Sequence, residues 1–215
     1  MPGGRVRERH GRDRVIHRAV LYDLVIGLLG GRGHRLRASI ADRLRVAPGD
    51  RVLDVGSGTG RLAVVLAKRV GPTGAVTGVD PAAEMVARAA ANARRAGVSA
   101  TFHEALAQRL PFSEASFEAV TCTLALHHVA ADDRATAVAE MYRVLRPGGT
   151  LLIGELKAPS RRWRWLHHFS AGDILGQARE LADNVGFADI EYAGTNLAWL
   201  GTITAVKPVS TPVRP

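Results

Sequence analysis

The residues best suited to chemistry lie in one short run and in an acid beyond it. Residues 50–62 read "DRVLDVGSGTGRL", with Asp54 followed by Gly56, Gly58 and Gly60, and Asp80 stands twenty residues after the last of these glycines. Glycine lacks a β-carbon, so such a run can turn sharply and let a ligand approach its backbone. A carboxylate at Asp80, closing the next strand, can accept two hydrogen bonds from a ribose diol. Together they describe a site for an adenosine-type ligand. A dinucleotide fingerprint needs G-x-G-x-x-G, but its third glycine position here is Arg61. Of the eight histidines, His127 and His128 stand side by side after the fourth strand and are able to move a proton near neutral pH. Each feature also has a plainer role. The glycines make a tight turn, Asp80 N-caps a helix with Pro81 at its first position, and one histidine packs or caps while the other is exposed.

Such a site needs elements to hold it. Apolar periodicity predicts helices over 15–29 and 34–45, the second with Leu36, Ile40 and Leu44 at four-residue spacing. Strand "RVLDV" then leads to helix 60–70, strand "AVTGVD" to helix 82–96 ended by Gly97, and strand "SATFHE" to a short loop. Strand "FEAVTCTL" leads to helix 132–145, stopped by "RPGG", and strand "TLLIGEL" leads to helix 171–185. "FADIEYAG" and "AWLGTITAVKP" complete seven strands. Alternating helices and apolar strands imply an α/β, doubly wound, seven-stranded and mostly parallel sheet with a helical N-terminal extension. In such sheets ligands sit beyond the carboxyl ends of the strands, where strand order reverses. The expected organisation is a loose basic tail over 1–13, covering helices over 14–45, one domain over 46–207 and a loose tail over 208–215.

Composition narrows the classes. A chain of 215 residues, 47% of them hydrophobic, can bury one sizeable core. Its single cysteine, Cys122, excludes a disulfide framework and a cysteine-rich zinc site, and suits a reducing, cytoplasmic setting. No apolar run is long enough to span a bilayer. Arg-rich residues 5–18 before "AVLYDLVIGLLGG" mimic a secretory signal, but Asp23 interrupts the apolar stretch and no small-x-small cleavage site follows, so none is expected. Residues 1–45 hold eleven arginines against four acids, whereas the remainder is nearly neutral. A basic extension suits nucleic acid, an anionic membrane surface or simply solvent, so charge alone names no partner.

With its preceding "VLD", the glycine run resembles motif I of class I S-adenosylmethionine-dependent methyltransferases, and "VTGVDPAAEM" their second motif. "RLPFSEASFEAVTCTLALHHV" and "MYRVLRPGGTLLIGEL" are similar to later blocks of that family, in order and spacing, across roughly 46–207. The resemblance implies that S-adenosyl-L-methionine is the cofactor. Gly56 and Gly58 would line its methionine moiety, and Asp54 would order the loop or reach the amino group through water. Asp80 would hold the ribose hydroxyls, with Pro81 and Met85 packed near the adenine and Ala107 offering backbone to the adenine edge. Leu106 stands where the family commonly has an aspartate for the adenine amino group, which leaves recognition to packing and backbone, or to Gln108. Methyl transfer needs alignment and no metal. A base matters when the acceptor has a proton to lose, and His127 and His128, after the fourth strand, lie where one could reach the methyl.

The Asn/Asp-Pro-Pro-Tyr/Phe segment of amino methyltransferases is replaced by "TCTLALHH", which argues against amino methylation of DNA. "LYDLVIGLLGGRGHRLR" resembles the N-terminal helices of the menaquinone and ubiquinone C-methyltransferase group, which would place Tyr22 over the cofactor and make helix 15–29 a lid or acceptor wall. In "APSRRWRWLHHFS", Trp163, Trp165 and Phe169 beside three arginines suit an aromatic pocket, an anionic membrane or single-stranded nucleic acid, or else pack onto the core. Lacking a large insertion, the acceptor site is open or completed by a second subunit as a homodimer. The resulting expectation is a methyltransferase for a small, hydrophobic or lipid-like acceptor, methylated on C, O or N. The alternatives are an RNA methyltransferase and a catalytically silent cofactor-binding module.

Overall fold

Strand β1 (Arg51–Val55) is buried from Val52 onward on both faces, as expected of a strand covered by helices on either side. The computed structural model describes residues 31–157, 173–195, 197 and 199–209. Helix α1 (Gly31–Arg43) precedes β1, and Leu36, Ile40 and Leu44 line its buried side. Next come α2 (Arg61–Val70), β2 (Ala75–Asp80), α3 (Ala83–Arg95), β3 (Thr101–Glu104) and β4 (Phe117–Thr123). Two 3₁₀ turns (Leu126–His128, Ala131–Asp133) lead into α4 (Arg134–Val144) and β5 (Leu145–Leu156). Helix α5 (Ile174–Val185), β6 (Ala188–Gly194) and β7 (Leu200–Val206) follow.

The seven strands form one sheet in the order β3-β2-β1-β4-β5-β7-β6. Four of the six neighbouring pairs are parallel, and β7 runs antiparallel to both β5 and β6. The order reverses between β1 and β4, the switch point where ligands bind in such sheets. One face packs under α4 and α5 through Val120, Met141, Ile153, Ala178 and Ile203. The other packs under α1 and α2 through Leu36, Ile40, Leu62, Leu66 and Leu152. Each of these side chains apart from Ala178 contributes roughly 1.5–3 kcal/mol by leaving water.

The expected element order is the observed one, with local differences. "RPGG" does not merely stop a helix. It lies inside β5, whose pairing with β4 starts at Leu145 opposite Phe117 and resumes with Thr150 opposite Ala119. Gly148, at φ 76°, takes up this irregularity. Helix 132–145 is divided into a 3₁₀ turn and α4. The start of α5 is set by Asp173, whose carboxylate accepts the Gly176 N–H at 2.9 Å, and its end by Gly186 in the left-handed region. Helix 15–29, Tyr22, the tail over 1–13, residues 210–215 of the other tail and the Trp163/Trp165/Phe169 segment lie outside the described residues.

Candidate functional site

All the chemistry-bearing residues emerge at the carboxyl ends of parallel strands. The β1 end carries Asp54 and the glycine loop, the β2 end Asp80, the β4 end the histidine turn and the β5 end Glu155. Gly56, Gly58 and Gly60 all have positive φ, at 70°, 51° and 72°. Their surroundings differ. A β-carbon on Gly56 would lie 2.2 Å from the β-carbon of Ala125, so the loop after β1 rests against the turn that bears the histidines. One on Gly60 would collide with Ala89 and Phe102, where α2 meets its neighbours. One on Gly58 would meet nothing within 4 Å, so it is here that a ligand can reach the backbone.

Asp80 turns back on this loop. One carboxylate oxygen accepts the Gly58 N–H at 3.0 Å and the other the Ala82 N–H at 2.9 Å. The N-cap of α3 is Ala82, so Asp80 is not the capping residue that the plainer reading offered. A carboxylate has about four lone-pair positions, and two backbone donors leave room for a diol. Asp54 is 2% exposed. Burial and the nearby Asp80 charge push its carboxyl up to about 7, against a backbone hydrogen bond from Ala63. Burial likewise raises Asp80, against the hydrogen bonds from Ala82 and Gly58. Asp54 Oδ2 and Ser57 Oγ are buried without a hydrogen-bond partner. Two crowded carboxylates and orphaned oxygens beside an open glycine backbone fit a ligand that brings positive charge and hydrogen-bond donors. S-adenosylmethionine, with its ammonium and sulfonium, is such a ligand. Gly56, Gly58, Asp54, Ser57 and Asp80 would hold it.

The adenine-side residues are divided. Leu106 is 51% exposed on a turn that follows the Ala105 N–H bond to the Asp80 carbonyl, so its side chain is offered at the β2 end. Pro81 is exposed and Ala107 half-buried, whereas Met85 is buried at 1%. The Gln108 amide faces Asp133 at 3.4 Å.

The histidine turn starts from Leu124, a buried leucine held at φ 56°, whose N–H donates to the Gly154 carbonyl at 2.7 Å. This turns the chain out of β4 into Leu126–His128. The His127 and His128 rings lie with centroids 4.0 Å apart and planes tilted by 43°, His127 half-buried and His128 exposed. Glu155, fully buried, takes hold of His127 twice. Oε2 lies 2.9 Å from His127 Nδ1, and Oε1 accepts the His127 backbone N–H at 3.2 Å. Sequence reasoning passed over Glu155 and Ser57. An acid inside the apolar strand "TLLIGEL" was the available signal, because a strand buried on both faces excludes charge unless it is paired. Cys122 is no rival nucleophile, since burial, and then the Glu155 and Asp54 charges, hold its thiol far above the usual range.

Residues 52–149 match the model of a family described as "Methyltransferase domain". The chain is 39% identical over 145 residues to the ubiquinone/menaquinone biosynthesis C-methyltransferase UbiE of Pseudomonas aeruginosa (strain LESB58), covering 66% of this chain and 56% of that protein. To the protein of the same name from Pseudomonas putida (strain GB-1) it is 38% identical over 147 residues, covering 67% and 57%. The chain thus spans little more than half the length of these relatives. In fold it is similar to an S-adenosylmethionine-dependent methyltransferase from Aquifex aeolicus, with TM-score 0.70, 18% identity and coverage of 85% and 96%. It also resembles the [4+2]-cyclase SpnF, with TM-score 0.67, 24% identity and coverage of 83% and 82%.

Proposed function

Because residues 52–149 belong to the class I S-adenosylmethionine-dependent methyltransferase family, we propose that the chain transfers a methyl group from S-adenosylmethionine to a ring carbon of a lipid-like quinol. The observation that carries this reading is the contact at the switch point, where the glycine loop and the histidine turn meet at Gly56 and Ala125. It supports this reading because the loop that would hold the cofactor rests against the turn that bears the histidines. When bound, S-adenosylmethionine supplies an electrophilic methyl on a positively charged sulfur. The chain then has two tasks. Asp54, Asp80 and the glycine loop orient the ligand, and orientation alone supplies on the order of 7–11 kcal/mol toward such a transfer. A histidine of the 126–128 turn takes the acceptor's hydroxyl proton, which makes the ring carbon electron-rich enough to attack.

The quinol class comes from the names of the Pseudomonas relatives. It agrees with the apolar acceptor expected from residues 15–29, and the arginines of 1–45 would hold the chain at the anionic membrane surface where such an acceptor resides. The acceptor pocket would be completed by 158–170 or by a second copy of the chain. Incubation with methyl-labelled S-adenosylmethionine and a reduced 2-alkyl-1,4-naphthoquinone, read by mass spectrometry, tests the proposal. One labelled methyl on the ring carbon is expected. Label on RNA or on an amine instead, or binding without any transfer to this probe or to a cell extract, would overturn it.

A further inference from the structure

The open backbone at Gly58 is tied down on either side. On one side its own N–H donates to the Asp80 carboxylate at 3.0 Å. On the other, the carbonyl of the next residue, Thr59, accepts from the side-chain amide of Asn92 on α3 at 3.0 Å. The neighbouring loop residues bond to β2 or to one another, with the Gly56 and Ser57 N–H groups on the Val79 carbonyl and the Gly60 N–H on the Ser57 carbonyl. The first bond of α2 runs from the Val64 N–H to the Gly60 carbonyl, so the Thr59 carbonyl lies outside the helical ladder and Asn92 supplies it with a donor. Asn92 stands three residues after Ala89, on the same face of α3. Ala89 is what a β-carbon on Gly60 would strike, at 2.8 Å. The bare backbone at Gly60 thus lets α3 come close enough for the amide to reach the loop. That amide has one orientation. Its Oδ1 accepts from Arg95 Nη1 at 2.8 Å, and a guanidinium only donates, so Nδ2 faces the Thr59 carbonyl. A chain of contacts runs from an exposed arginine through a half-buried amide to the loop.

We propose that Asn92 is a positioning residue for cofactor binding, which holds the Thr59 carbonyl so that the backbone at Gly58 stays open to S-adenosylmethionine. This rests on the methyltransferase reading, in which the loop receives the cofactor. Gly56, Gly58 and Gly60 all sit at positive φ, and glycine has the most backbone freedom to leave such a conformation. A ligand that needs one loop conformation binds with an affinity reduced by the fraction of time that conformation is held. A loop held for about one tenth of the time therefore binds about tenfold more weakly, while the bound state reacts as before. Asn92 acts on the fraction, through the loop.

The test removes the donor and keeps the shape. In Asn92→Asp the carboxylate still accepts from Arg95 but turns an oxygen on the Thr59 carbonyl, and Asn92→Leu removes both bonds at similar volume. In the full chain, calorimetric affinity for S-adenosylmethionine and for S-adenosylhomocysteine should fall roughly tenfold in both variants. With the reduced 2-alkyl-1,4-naphthoquinone, the cofactor KM should rise by a similar factor while kcat stays within about twofold. Without ligand, amide hydrogen exchange at Gly58 and Gly60, followed by NMR, should quicken roughly tenfold. Asn92→Gln, with its donor on a longer arm, should recover part of the affinity. Arg88→Gln breaks an exposed pair with Glu84 on the same helix and should leave every readout at the wild-type value. Affinity within about twofold of wild type in Asn92→Asp, a loss of kcat at unchanged KM, or exchange that does not quicken would overturn the proposal. If Asn92→Asp does not fold, Asn92→Leu carries the same readouts. If no methyl reaches the probe, the acceptor assignment has failed and calorimetry decides the role of Asn92. If the wild type binds neither ligand, the cofactor reading has failed, and the exchange rates decide whether Asn92 holds the loop.

Discussion

Replacing Asp54 by Asn should reverse its contribution to stability as pH rises. An unfolded Asp54 ionises near 3.8, whereas in the fold burial and Asp80 push it up to about 7. Below pH 3.8 both states hold the proton and the group costs nothing. Above it the unfolded chain releases its proton first, so folded stability falls with pH until the folded carboxyl ionises near 7, and then levels off. The gap corresponds to a cost on the order of 4 kcal/mol, of which roughly 2–3 kcal/mol develops between about pH 5 and 8.5. Asn has no proton to lose. Its amide meets the same lack of partners as Oδ2, at a pH-independent cost of about 1–3 kcal/mol. Urea unfolding of the ligand-free protein should therefore show Asp54→Asn gaining roughly 2–3 kcal/mol on wild type between about pH 5 and 8.5, whatever the offset. A cationic ligand stabilises the ionised form, so wild-type affinity for S-adenosylmethionine should rise with pH toward 7 and that rise should vanish in the variant. Parallel pH profiles for the two proteins would refute the assignment of a buried, crowded carboxyl.

The remaining expectations concern the cradle. Asp80→Ala should weaken S-adenosylmethionine binding about tenfold to a hundredfold, the loss of roughly 1.5–3 kcal/mol in charge-assisted hydrogen bonds; unchanged calorimetric affinity would sink the ribose role. Gly56→Ala must both adopt φ 70° and displace Ala125 from 2.2 Å, so it should lower Tm far more than Gly58→Ala, which meets strain alone at φ 51°. Gly58→Ala should lose more in cofactor affinity than in stability, because its new methyl enters the open space, and equal thermal shifts in the two variants would contradict this.

Much of the arrangement was legible because its determinants are local. Strand β1 reads as a strand from "RVLDV", and α2 matches the helix expected over 60–70. The glycine loop and Asp80 were found because twenty residues separate them in a fixed unit of strand, helix and strand. What escaped was set by pairing across the sheet. Glu155 meets His127 only because β4 and β5 lie side by side with Cys122 opposite Ile153, a register no local spacing encodes. The extension of β5 back through "RPGG" to Leu145 was hidden because proline and glycine signal a stop, while the partner strand begins at Phe117.

The place of β7 has a consequence for how the chain is made. Of the described strands it is the last to be synthesised, yet it lies inside the sheet, between β5 and β6. Until residues 200–206 leave the ribosome, β5 presents an unpaired edge from Thr150 to Leu156, and β6 has no neighbour at all. Domains usually gain structure from the amino end as they emerge. Here the cradle strands β1 to β4 can assemble early, whereas the face under α4 and α5 closes only when β7 slides in and Lys207 ties it to the Tyr142 and Leu145 carbonyls at 2.9 and 2.8 Å. A nascent chain stalled before that strand would carry a nearly complete ligand cradle on a sheet that is still adhesive.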